Sequence, residues 1–144
     1  MSTSKSERTV SKNEFDALYY RIHDDAEDMI EHNFRAKGEI VDQNANYIMN
    51  AADALRRSVW DLIYFIKAAN ALYPTAYEEL MERRICQERA IGICTDMLTL
   101  YEIVMHRLEV KDDMGVTEIK NIRHQMNAIR AWRTSDNRRF RDLK

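Results

Sequence analysis

Glycine and proline are almost missing from this chain: Gly38, Gly92, Gly115 and Pro74 are the whole complement in 144 residues. Average usage would supply about ten glycines and seven prolines. Hairpins and sheet returns draw on these residues for positive φ and pre-set turns. An all-β fold is therefore excluded, and an α/β sheet is disfavoured. With 45% hydrophobic and 32% charged residues, the composition suits long amphipathic helices rather than disorder. The length fits a single domain with a real core.

Apolar residues recur at helical spacing in four segments. Ser11-Lys12-Asn13-Glu14 has the form of a capping box. Phe15, Leu18, Tyr19, Ile22, Ala26, Met29 and Ile30 follow it and predict a first helix over 12–34, stopped near Gly38. A second helix is predicted over 39–72, with a seam of Val41, Ala45, Ile48, Ala52, Leu55, Val59, Leu62, Ile66 and Ala69. Its alternating three- and four-residue steps are those of helices packing at a shallow angle.

Tyr73-Pro74-Thr75 ends it, because proline cannot continue a helix. Thr75-Ala76-Tyr77-Glu78 reads as a second capping box. The third helix then runs to 108 on Leu80, Arg84, Gln87, Ile91, Cys94, Leu98, Tyr101, Met105 and Leu108. After a turn at 111–115, a fourth uses Val116, Ile119, Ile122, Met126, Ile129 and Trp132. Short connections between four such helices predict an all-α, antiparallel four-helix bundle. The bundle spans 11–133, after a polar 1–10 segment and before a basic C-terminal extension, 134–144, that reads as fraying.

Several chemistries find no support in the residues. Di-iron bundles need Glu-x-x-His pairs, and the chain has none. Cys86 and Cys94, eight apart on one helix, would be separated by about 12 Å along its axis, too far for a disulfide. Reduced thiols fit a cytoplasmic protein. There is no glycine-rich phosphate loop, no signal core and no apolar run long enough to span a membrane. No metal, cofactor or catalytic centre is expected.

Charge is unevenly placed. Between Lys120 and Lys144 stand eight basic residues, Lys120, Arg123, Arg130, Arg133, Arg138, Arg139, Arg141 and Lys144, against Asp136 and Asp142. The first helix holds seven carboxylates, from Glu14 to Glu31, and a single Arg21. These regions either pair within the fold, or the basic end meets a phosphate backbone while the acidic helix faces a protein. Trp132 and Phe140 interleave with the arginines, a pattern that stacks bases or docks in a groove, although Trp132 by itself reads as closing the core. Arg84 and Gln87 occupy seam positions where leucine would stabilise more. Snorkelling at a bundle end and a contact between subunits both account for them.

Three stretches resemble a known family. They are Glu82-Arg83-Arg84-Ile85-Cys86-Gln87-Glu88-Arg89-Ala90-Ile91, the Cys94 to Leu98 segment, and Ile129-Arg130-Ala131-Trp132-Arg133-Thr134-Ser135-Asp136-Asn137-Arg138-Arg139-Phe140. Together they resemble the small four-helix-bundle proteins encoded beside bacterial reverse transcriptases, the accessory variability proteins of diversity-generating retroelements. The resemblance runs from about Pro74 to Phe140. It implies a non-enzymatic, ring-forming accessory that binds a reverse transcriptase and nucleic acid. The matching contact residues would be Arg83, Arg84, Arg123, Arg130, Arg133, Arg138 and Arg139. Those proteins are strongly basic, whereas this chain has a pI near 6.1, which shifts weight toward a protein partner.

Two functional expectations follow. One is an accessory protein that binds a reverse transcriptase, and RNA or DNA, through the basic C-terminal surface. The other is a homo-oligomeric structural or regulatory bundle without nucleic acid. Surplus apolar residues at Ile63, Tyr64, Phe65, Leu100 and Ile103 point to self-association in either case.

Overall fold

The computed structural model describes residues 18–32, 34, 40–108 and 115–144. They form four helices, α1 (18–32), α2 (Ile40–Ala71), α3 (Tyr77–Arg107) and α4 (Val116–Arg139), with no strand among the described residues. The expected antiparallel four-helix bundle is the fold observed. The capping box at 11–14, the break at Gly38 and the residues 111–114 lie outside the described residues.

Contacts between side chains fix the order of the helices. Lys67 of α2 lies over Tyr19 and Tyr20 of α1, while Arg56 pairs with Glu27 further along, so α1 and α2 run antiparallel. Likewise Arg83 of α3 meets Asp136 of α4, and Thr95 meets Met126. Asn121 of α4 donates to Asp25 of α1 at 2.8 Å and closes the ring. Each helix therefore neighbours its two sequence neighbours in turn, and α2 and α4 stand on opposite corners.

The α2 seam is buried as expected: Ala52, Leu55, Val59, Leu62, Ile66 and Ala69 all face the core. Full burial of one such leucine contributes about 1.5–3 kcal/mol. The α3 seam differs. Its buried residues are Leu80, Arg83, Gln87, Ala90, Cys94, Met97, Tyr101 and Val104. Arg83 lies on the core line, whereas Arg84, Ile91, Leu98 and Met105 sit beside it, half-buried. The apolar arc of this helix is wide enough for two adjacent lines, and packing against both α2 and α4 selects the one between them.

Helix ends also depart from expectation. Ala76 in extended conformation precedes α3 with no side-chain cap, and the N–H and hydroxyl of Thr75 both donate to Glu79 rather than engaging Glu78. Before α4, Gly115 takes φ +82°, a conformation that L side chains rarely adopt. The fourth helix does not fray at Trp132. It continues to Arg139, Phe140 is buried, and its N–H donates to the Asp136 carbonyl at 2.8 Å. The main-chain oxygen of Lys144 then accepts from the N–H of Tyr77 at the start of α3. Residues 134–144 are thus packed onto the bundle instead of extending from it.

Candidate functional site

The extra turns of α4 are held by a buried polar cluster. Arg83 Nε donates to Asp136 Oδ2 at 2.7 Å and Nη2 donates to Oδ1 at 3.0 Å. Gln87 Nε2 adds a third bond to that carboxylate at 2.8 Å, and Arg83 Nη1 donates to the Leu72 carbonyl at 3.1 Å. Asp136 and Gln87 have no exposed surface and Arg83 has 5%. The guanidinium carbon stacks 4.8 Å from the Trp132 ring centre, and Phe140 meets Tyr73 edge to face at 5.4 Å. Arg83, expected at a partner surface, is therefore spent inside the fold. Phe140, expected to stack bases or fill a groove, is turned onto Tyr73, and Trp132, also read as closing the core, packs against it beneath Arg83.

This inward turn decides the character of the outer α4 face. From Lys120 to Arg139 its exposed residues are Lys120, Arg123, His124, Asn127, Arg130, Ala131, Thr134, Asn137, Arg138 and Arg139. None is a carboxylate, because Asp136, the one acid in that stretch, is buried. The result is a cationic line about 28 Å long at 1.5 Å per residue. Lys120, Arg123, Arg130 and Arg138 share one side of the helix and make no ion pair among the described residues. Arg139 leans on Ser135 and the Phe140 ring, and Arg133, half-buried, stands 3.6 Å from Glu88. Arg141 and Lys144 are exposed beyond the helix. Arg84 is half-buried on α3, with Nη1 near the Met81 sulfur and its Nε buried without a partner among the described residues.

No described carboxylate of α1 neutralises this line. Glu27 is engaged with Arg56, whose hydrogen bonds hold its carboxyl below the ordinary range, and Asp25 accepts from Asn121. The exposed Asp28, Glu31 and His32 bring their ligand atoms within 4.8 Å of one another. Exposed acidic groups commonly do so without an ion, and this one shows no buried donor. Burial pushes the Cys94 thiol up to about 12 against the opposing pull of Arg130, so it is a core residue rather than a nucleophile. Burial also raises Tyr101, reinforced by Glu118 and Asp25.

Sequence reasoning missed Asp136 and Gln125 as interior residues. A signal existed: stepping three and four residues from Ile122 passes through Gln125, Ile129 and Asp136 to Phe140, all of them buried. No helix among the described residues is long and apolar enough to cross a membrane. No protein-family model, no curated protein and no solved structure matches the chain.

Proposed function

We propose that this protein is a non-enzymatic accessory to a reverse transcriptase and that the outer face of α4 holds the phosphate backbone of the polymerase's RNA or cDNA. One observation supports the nucleic-acid contact: the side chains exposed from Lys120 to Arg139 include five cations and no carboxylate, because the one acid in that stretch is buried against Arg83. The polymerase partner follows from the resemblance of the 82–91, 94–98 and 129–140 stretches. With Trp132 and Phe140 turned inward, contact is to phosphates and not by base stacking. The alternative, a homo-oligomeric structural bundle that binds no nucleic acid, draws support from the exposed Trp60 and Tyr64 of α2.

Fluorescence anisotropy with a labelled RNA decides between them. Five cations predict a loss of roughly 10²–10³-fold in affinity between 50 and 200 mM salt. Reversing Lys120, Arg123, Arg130 and Arg138 to Glu removes binding while circular dichroism shows unchanged helicity. Absence of binding to RNA and DNA at 50 mM salt defeats the nucleic-acid contact. Failure to co-purify with a reverse transcriptase encoded beside the gene defeats the polymerase partner.

A further inference from the structure

The outward pole of α2 carries the most exposed aromatic residues among those described. Trp60 is 59% exposed and Tyr64 65%, one helical turn apart. Asp53, Arg57, Asp61 and Lys67 flank them and are exposed. Helical spacing allows Arg57 to pair with Asp53 or Asp61 on its own helix, yet none of the three makes an ion pair among the described residues. Lys67 lies over Tyr19 and Tyr20 with its ammonium 5.9 Å from each ring. An exposed tryptophan and tyrosine side by side, with exposed charges of both signs around them, have the composition of an interface centre.

We propose that this face binds a second copy of the chain, α2 against α2, antiparallel about a two-fold axis at Trp60. Charge carries the choice of occupant. Asp53 and Lys67 lie equally far on either side of Trp60, so an antiparallel pairing sets Asp53 of each copy against Lys67 of the other. Arg57 then comes level with Asp61 and Tyr64 of the second copy, offering a carboxylate and a ring face to the guanidinium. A parallel pairing would oppose Asp53 to Asp53 and Arg57 to Arg57. The two-fold repeats every favourable contact, as an isologous interface requires. Because α2 and α4 occupy opposite corners, the pair leaves both cationic α4 faces outward. The dimer does not depend on nucleic acid, and its loss would leave the reading of α4 intact.

Sedimentation equilibrium of the full chain at micromolar concentration tests this. The expected species has twice the 17.1 kDa of one chain. Trp60→Ala raises its dissociation constant at least about tenfold without loss of helicity, and the emission of Trp60 shifts to the blue on association. Arg57→Glu and Asp61→Arg each weaken self-association, since each creates two like-charge contacts. Mixing those two variants restores a heterodimer, because both contacts are then of opposite sign; pairing within one helix cannot be restored by mixing. A 17.1 kDa monomer throughout, a mixture no tighter than its components, or a larger ring indifferent to Trp60→Ala overturns the proposal.

Discussion

Arg83 and Asp136, 53 residues apart in sequence, form a two-pronged ion pair in the interior of the bundle, with side chains 6% and 0% exposed. The pair clamps the first turns of α3 to the last turn of α4, and Gln87 completes it. It also removes the only carboxylate from the stretch that forms the cationic face. Stability and surface charge thus depend on the same contact.

Breaking one half of this pair strands a charge in the core. Arg83→Met is expected to cost about 3–5 kcal/mol in urea unfolding. The triple variant Arg83→Met, Gln87→Leu, Asp136→Leu recovers most of that loss, since no charge is then stranded in the core and only the half-buried Leu72 carbonyl loses a donor.

Gln125 is fully buried, and neither its Nε2 nor its Oε1 has a hydrogen-bond partner among the described residues. An amide without partners is a standing desolvation cost. Gln125→Met, of similar volume, is expected to stabilise by about 1–3 kcal/mol in the same assay.

Two glycines give opposite outcomes. Gly92 is exposed inside α3, and a Cβ there meets nothing within 4 Å. Gly92→Ala should therefore add about 0.8–1 kcal/mol of stability. At Gly115, φ is +82° and a Cβ would lie 3.0 Å from the methyl carbons of Met29 and Met105. Gly115→Ala should cost at least about 1 kcal/mol. Thermal unfolding of both variants checks the pair.

The two thiols differ in burial, Cys86 being half-buried and Cys94 fully buried. A thiol reagent at pH 8 should titrate Cys86 alone in the native protein. With Cys86→Ser, labelling waits for unfolding, because the Cys94 thiol pushed up to about 12 supplies almost no thiolate. Fast labelling of the Cys86→Ser variant in buffer would contradict the buried placement.

The Glu27–Arg56 pair should be felt on the acid side. Its hydrogen bonds hold the Glu27 carboxyl below its ordinary 4.5. That contribution is present above pH 4.5 and fades as pH falls through the lower folded value. Both partners are more than a third exposed, so Arg56→Gln should cost under about 1 kcal/mol at neutral pH. The stability curves of variant and parent should converge in acid.

Much of this molecule is written in local pattern. Scarce glycine and proline exclude an all-β fold, and three- and four-residue apolar steps mark helices whose described bounds the structure matches within a few residues, save the end of α4, which runs on to Arg139. These features depend on backbone conformation and on neighbours along one helix, which periodicity reports directly. What only the tertiary structure decided is the fate of polar residues on those same helices. Arg83 and Arg84 are adjacent arginines; one completes an ion pair in the core and the other does not, because the crossing of α3 with α4 brings Asp136 to Arg83 alone. A buried charge is tolerable only where a distant partner meets it, and that partner is a property of packing rather than of any stretch of sequence.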